Sequence, residues 1–548
     1  MDDKLFVLAI GGTGMRCLES FVHLCAIGMF DNHVIEVMML DTDSTNGNLS
    51  RTENLIALYN RIKTEGTPSS PDKIGGSPNS NTFFSAKLNF YKFCPNYNDT
   101  NRNTYNNLSR LSEGDETAKR QNRLLSDLFL EKKTVQNFKL DHGYRAQTHL
   151  GSHLMYHAIV ESARRMTSGA ESERSVYDKQ LEAFVKKLQD AGENARVFVF
   201  GSIFGGTGAS SIPIIPVAFR DAVRVRSNGQ SDLNLQKTKF GSTLLTQYFT
   251  FKAPDATQKN KEGVVADASF FPLNSQAALQ FYQKDPTVQN TYKRMYHVGW
   301  PIESTEMSKD EKETITGGAE QKNNCHICEL LCACAAYDFF TLPDSALQSD
   351  RIQYLYRSAE FINGTFNITA KDLVGETAGD KLLSRMGAFY SLAHIVLTYN
   401  EAAKGKQPNT GTKAILNRLK DHKVSQYDTV DDEALGQLDD FFRMFCYTMS
   451  NGVFLPGWIY QVRYSLNKGQ FLFDNAAFPN QSSDLNPRRF DVGNIYEDKS
   501  HRWKYEDFIK RFTEDETVDQ GDRKQNVSSP QEKLIARIYN AIFAVQKF

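Results

Sequence analysis

Two short runs in this chain have the composition needed to hold a phosphate group. Gly11, Gly12, Thr13 and Gly14 follow the apolar stretch KLFVLAI, and Gly205, Gly206, Thr207, Gly208 and Ala209 follow FVFGSIF. A polyanion needs many donors in a small space and a backbone that can approach without Cβ atoms in the way. Glycine removes the Cβ and admits positive φ. The amides of such a turn, and of a helix starting behind it, can then face phosphate oxygens. The helix dipole adds about 0.3–1 kcal/mol for an anion in that place. The chain contains no GxxxxGK[ST], which argues against a Walker-type NTPase.

Taken alone, the first run has two readings. Asp41, Thr42 and Asp43 end the next apolar stretch, HVIEVMMLDTDS. An acid there can hold a ribose hydroxyl, which makes the run a dinucleotide site of a nicotinamide-dependent oxidoreductase. The GxGxxG spacing of that site is missing, however. The plainer reading is a tight strand-to-helix turn with no ligand. The second run shifts the balance, because a dinucleotide fold has no use for another Gly-Gly-Thr-Gly after a later strand.

GSIFGGTGASSIP (201–213) resembles the signature of the tubulin/FtsZ superfamily, a glycine-rich run followed by Thr-Gly-Thr/Ser-Gly and a proline. Gly205, Gly206, Thr207 and Gly208 match its core and Pro213 its proline. Phe204 stands where the run has a glycine and Ser210 replaces its last one, so a narrower pocket is expected. AIGGTGM resembles the family's first nucleotide loop, LDTDS its Asn-Thr-Asp, and YRAQTHLGSHL (144–154) its third phosphate loop. Together with YFTF and the Gln-x-Asn…Glu-Leu-Leu segment, these motifs are most similar to divergent bacterial tubulin-like proteins. The resemblance spans most of residues 1–340 and is specific at the two glycine runs.

The resemblance implies an α/β fold: a tubulin/FtsZ-like GTPase domain with a mainly parallel sheet, a buried central helix and a second α+β domain. It implies GTP or GDP with Mg2+ at Gly11–Gly14, Asp41–Asp43 and Gly205–Ala209. It also implies an asparagine at the head of the central helix, Asn323 or Asn324, that reads the guanine edge. An asparagine amide offers the donor and acceptor this needs; the alternative is an N-cap with structural work only. Hydrolysis in the family is completed between subunits by an acidic residue that positions water. Here FNITAKDLVGETAGDKLLSRMG (366–387) would supply Asp372 and Asn367, with Glu376 beside them, against the plain reading of an exposed turn carboxylate. Head-to-tail self-association into filaments follows from that arrangement. A non-polymerising nucleotide-binding scaffold or switch is the alternative.

The elements that must carry these residues are partly readable. KLFVLAI (4–10) reads as a buried strand, Met15, Leu18, Val22 and Cys25 recur at helical spacing, and 33–44 returns as a strand. That is a βαβ unit and predicts a parallel sheet with a right-handed crossover. Residues 45–140, rich in Asn, Ser, Gly and Pro, read as an elaborated insertion with one helix near 116–133. Helices at 148–166 and 177–190, a strand at 195–202, and strands at 242–251 and 292–301 follow. Residues 323–340 form a helix apolar all round, hence buried.

The domain boundaries expected are 1–320 for the nucleotide domain, 321–345 for the central helix, and 346–505 for the second domain. The second domain carries helices near 379–402 and 431–450 and a strand at GWIYQVRYSL. Residues 506–548 read as a linker and an amphipathic helix capped by Ser529. Its apolar stripe suits its own body, a neighbouring subunit or another protein, while Lys533, Arg537 and Lys547 make a sparse basic face for membrane contact.

Composition adds exclusions. With 548 residues, 40% hydrophobic and 24% charged, the chain has ample core material for a soluble protein of several units. A net charge of -1 gives no global argument for nucleic acid. MDDK leads straight into a strand and no apolar run approaches the roughly 20 residues that cross a bilayer, so a cytoplasmic protein is expected. The eight cysteines lack a disulfide framework. Cys325, Cys328, Cys332 and Cys334 with His326 have metal-like spacing, but sit among Ile, Leu and Ala, where cysteines pack as small hydrophobes. No metal site is expected there, nor at His149, His153 and His157, which lack partnering carboxylates.

Overall fold

Seven strands make one sheet, and its order decides where the glycine runs end up. The computed structural model describes residues 4–30, 33–66, 83–84, 86–95, 115–129, 138, 143–251, 253–257, 264–300, 317–321, 326–349, 351–358, 360–362 and 365–367, with single positions between 374 and 441. The chain begins β1 (Lys4–Ile10), α1 (Gly11–Ala26), β2 (Val34–Leu40), α2 (Gly47–Gly66) and β3 (Lys87–Phe93). Helices α3 (Glu116–Phe129), α4 (Thr148–Ser168) and α5 (Val176–Ala191) lead to β4 (Ala195–Phe200). Next come α6 (Thr207–Ser211), α7 (Ile215–Arg226), β5 (Lys239–Leu245), α8 (Phe271–Lys284), α9 (Pro286–Thr291) and β6 (Tyr292–Val298). Helix α10 (Ile327–Thr341), β7 (Gln353–Arg357) and a small antiparallel pair, β8 (Glu360–Ile362) and β9 (Thr365–Asn367), complete the described elements.

The strand order is β3-β2-β1-β4-β5-β6-β7, with every neighbouring pair parallel. From β1 the chain builds outward to β2 and β3; from β4 it builds the other way. The order therefore reverses between β1 and β4, the place where open α/β sheets leave a crevice at the carboxyl ends of their strands.

The alternating directions of strand side chains split the core in two. Leu5, Val7 and Ala9 of β1 pack with α1, α2 and α10, while Phe6, Leu8 and Ile10 pack with α4, α5 and α7. Covered on both faces, β1 beyond Lys4 and β4 apart from Arg196 read as apolar runs, as strands of buried parallel sheets do. Helix α10 buries all its residues except Asp338 and Thr341. Burial raises the pKa of the Cys328, Cys332 and Cys334 thiols.

Arg196, on β4, closes the far end of α10. Its Nη1 donates to the carbonyl oxygens of Phe339 (3.3 Å), Phe340 (3.1 Å) and Leu342 (2.6 Å), and its Nη2 to Asp344 Oδ1 at 2.8 Å. A cation is thus placed where the helix dipole is negative and the carbonyls lack intrahelical partners.

Three expectations are corrected. Residues 45–140 are not simply an insertion: α2 and β3 continue the alternating pattern, and β3 pairs with β2 along its whole length, from Val34↔Lys87 to Leu40↔Phe93. The polar, turn-rich stretches around them dominate the local composition and hide both elements. Nor does the first unit stop at residue 345, because β7 joins its sheet beside β6. The expected strand at 242–251 ends at Leu245, and the chain then leaves the sheet toward the head of α10, where Tyr248 lies. The helices expected near 379–402 and 431–450 are described only at single positions; GWIYQVRYSL and the C-terminal helix lie outside the described residues. Among the described residues no helix is long and apolar enough to cross a membrane.

Replacing Arg196 by Met keeps much of the stem but strands three carbonyl oxygens at a buried helix end. The expected loss is about 2–4 kcal/mol, read as a lowered denaturation midpoint in guanidinium chloride.

Candidate functional site

The two glycine turns touch. Gly11 opens α1 with φ +67, and a Cβ built on it would lie 3.2 Å from Thr207 Cβ and 3.8 Å from Thr207 Oγ1. On the second turn, a Cβ on Gly206 would fall 2.7 Å from Ala146 N and 2.8 Å from the Tyr144 carbonyl carbon, a distance no side chain tolerates. Gly143, at φ +73, brings a third turn: its Cβ position is 3.4 Å from Thr207 Oγ1 and 3.8 Å from Thr42 Oγ1. The segments after β1 and before α4 thus converge on Thr207 after β4, and the segment after β2 meets them at Gly143. Arg145 (φ 43) and Ala146 (φ 62) sit in the left-handed region. That strain, about 1–3 kcal/mol per non-glycine residue, is held by the surrounding packing.

Neither Ile10, before α1, nor Gln147, before α4, provides a side-chain cap; at α4 the first amide, Thr148 N, donates to Ala146 O (3.1 Å). The arginines nearest the turns in sequence serve the protein itself: Arg16 Nε donates to Glu329 Oε1 at 2.5 Å, and Arg145 Nη1 to Val264 O at 2.9 Å.

The three residues at the end of β2 differ in what they have left to offer. Asp43 accepts from Thr45 N (3.0 Å) and Thr45 Oγ1 (2.7 Å) on one oxygen, and from Gly318 N (2.6 Å) on the other. It is a strut that holds the 317–321 segment. Asp41 accepts from Asp43 N on Oδ1, while its Oδ2 is buried without a hydrogen-bond partner. Burial pushes its carboxyl up to about 7, against a lowering effect from backbone amides. Thr42 Oγ1 is likewise buried and unpartnered.

Residues 317–321 lie against the first glycine turn. Gly47 N donates to Gly318 O (3.0 Å), and Asn46 Nδ2 donates to Gln321 Oε1 (2.6 Å). A Cβ on Gly12 would meet Asn46 Nδ2 at 3.2 Å, and Asn48 Nδ2 and Gln321 Oε1 at 3.4 Å each. Carboxamides from two distant parts of the chain therefore crowd around Gly12.

The head of α10 is built differently from the expectation. Its N-cap is His326, whose Nδ1 accepts from Cys328 N (3.1 Å), while Glu329 Oε2 accepts from His326 N (3.0 Å), a reciprocal capping box. Asn323 and Asn324, expected to read a base or to cap the helix, lie outside the described residues, and the cap position belongs to His326. Asp372 and Glu376 also lie outside; Asn367 ends β9. Phe204 does not narrow the turn: its ring is buried against Phe249 (5.5 Å) and Phe271 (4.9 Å). Asn46, Asn48, Gln321 and Gly143 were not singled out in the sequence. Gly143 immediately precedes the YRAQTHLGSHL motif, which was a usable signal; Asn46 and Gln321 pair across 275 positions and gave none.

No family model matches the chain, and neither does any curated protein or solved structure. Among the described residues no group of three or more His, Cys, Asp or Glu is arranged to hold a metal.

His326 gives the site a pH signature. Burial, helped by the Arg16 charge, lowers its pKa to about 3, whereas the unfolded chain titrates near 6.5. Below that value the unfolded state binds a proton that the fold refuses, so stability falls as pH drops from about 6.5 toward about 3. Between pH 7 and pH 5 the cost is about 2 kcal/mol from this residue. His326→Asn keeps an acceptor for Cys328 N and should flatten the thermal-stability profile by that amount.

Proposed function

We propose that the chain binds a nucleoside triphosphate in the crevice between the glycine turns of β1 and β4, hydrolyses it, and self-associates head to tail with the nucleotide at the contact. The supporting observation is the approach of Thr207 to Gly11, with 3.2 Å between Thr207 Cβ and the Gly11 Cβ position. Amides from the starts of α1 and α4 and from the Gly205–Thr207 turn then serve one phosphate chain, with the Thr207 hydroxyl among them. GTP is the nucleotide the tubulin/FtsZ resemblance favours.

Mg2+ accompanying the phosphates takes most of its ligands from phosphate oxygens and water, and asks the protein for only one or two carboxylates. Asp41, with an unpartnered buried oxygen, fits that need, and Asp43 does not. Bound there, the cation would offset charge building on the phosphates during transfer. Asp372 and Asn367 of a neighbouring copy are the residues the resemblance assigns to positioning water. Gly11–Gly14 would orient the phosphates, and the buried faces of α1 and α4 keep water from reaching them from below.

A second reading has one observation in its favour. The order β3-β2-β1-β4-β5-β6 is also that of dinucleotide-binding sheets, and Asp41 stands at the end of β2, where such folds hold a ribose. That reading uses the first turn and leaves Thr207 without a role.

Thr207→Val separates the two. It removes the hydroxyl while keeping the Cβ packing on Gly11. Losing a hydrogen bond to a charged group costs about 1.5–3 kcal/mol, so GTP–Mg2+ affinity should fall roughly 10- to 100-fold with thermal stability little changed. Unchanged GTP affinity, or wild-type protein that binds NADH and not GTP, contradicts the proposal. Self-association is read by sedimentation: pelleting with GTP and not with GDP is expected, and no nucleotide-dependent pelleting removes the filament part.

A further inference from the structure

Gln321 extends the nucleotide reading and rests on it. We propose that Gln321 is a specificity-determining residue whose side-chain amide donates to an oxygen of the phosphate chain seated on the first glycine turn. Its Oε1 accepts from Asn46 Nδ2 at 2.6 Å and lies 3.4 Å from the Gly12 Cβ position, so the side chain is beside the turn and anchored there. Nε2, with two N–H donors, sits on the same carbon as that anchored oxygen, which narrows where it can lie.

The anchor is itself anchored. Asn46 Oδ1 accepts from Asn48 N (2.9 Å) and Leu49 N (3.4 Å). The backbone bearing Gln321 is fixed to the same loop through Gly318 N to Asp43 Oδ2 (2.6 Å) and Gly47 N to Gly318 O (3.0 Å), and is turned back by Gln321 N to Gly318 O (3.1 Å). A donor held this firmly loses little freedom when a ligand arrives. Independently of this cluster, Thr42 Oγ1 and Asp41 Oδ2 are buried and unpartnered on the adjoining loop, Thr42 at 5% and Asp41 at 2% exposure, and Thr42 Oγ1 lies 3.8 Å from the Gly143 Cβ position. Polar atoms left open in that way point to a ligand that completes them.

The neutral charge of the donor sets the preference. An amide N–H donates to a phosphate oxygen, whereas a carboxylate of the same shape would repel it. Gln321→Glu keeps an oxygen for Asn46 Nδ2, and so keeps the anchor, while replacing the donor by an anion. Gln321→Met removes the donor without adding charge.

The test is equilibrium titration of the full chain with GTP–Mg2+ and with inorganic tripolyphosphate, alongside thermal unfolding of each variant. Gln321→Glu should weaken both ligands at least tenfold, and Gln321→Met three- to tenfold, at unchanged unfolding temperature. Gln321→Met serves alone if the Glu variant does not fold. Variants within twofold of wild type overturn this inference and leave the nucleotide reading standing. A loss for GTP but not for tripolyphosphate moves the contact to the nucleoside and overturns the phosphate assignment. Wild-type protein that binds neither ligand overturns both readings.

Discussion

Neighbouring parallel strands end about 4.8 Å apart, and β1 and β4 are neighbours paired through Ala9 and Phe200. Whatever chain leaves one end must share space with the chain leaving the other. Helix α1 passes so close to the end of β4 that a Cβ on Gly14 would stand 2.7 Å from Phe200 O. The sequence meets that constraint with glycine on both exits, at Gly11, Gly12 and Gly14 after β1 and at Gly205, Gly206 and Gly208 after β4. On the proposed reading, packing and binding are served by the same residues, and the site follows from the strand order as much as from the motifs.

Beneath the turns runs a polar seam that fixes α1 to α10. Arg16 lies two residues past Gly14 on α1 and pairs with Glu329, the third residue of α10, with both side chains buried. Tyr248 OH donates to the same Glu329 Oε1 at 2.8 Å, and the rings of Tyr248 and Trp300 pack on His326 at 4.9 and 4.7 Å. One turn further along α1, Glu19 takes a two-pronged bond from Arg51 of α2, at 2.7 and 2.8 Å. Breaking a buried charge pair costs about 3–5 kcal/mol. A shift of the first turn of α1 must carry α10 with it or sacrifice that pair, so the glycine turn and the central helix form one mechanical unit.

What the sequence disclosed depended on how strongly each element is patterned. The strands β1 and β4 and helix α10 are buried on every side and appear as apolar runs that nothing else explains. Helix α2 carries Leu55, Ile56, Tyr59 and Ile62 on its buried side, but the polar stretches that flank it averaged its signal away. Strand β3 is an edge strand with mixed exposure, and its residues alternate too weakly to stand out. The glycine turns were readable because glycine clusters are rare and local. The amides of Asn46 and Gln321 were not, because their meaning exists only once β2 and the approach to α10 lie side by side. His326 as an N-cap was hidden for another reason: histidine is an uncommon cap, and asparagines two and three residues earlier offered a more ordinary one.

Amide hydrogen exchange with and without GTP–Mg2+ tests the central claim most directly. If one phosphate chain is held from both sides, the amides of residues 11–15 and of 205–209 gain protection together and over the same nucleotide concentration range. Protection confined to one turn, or at neither, would contradict a shared site.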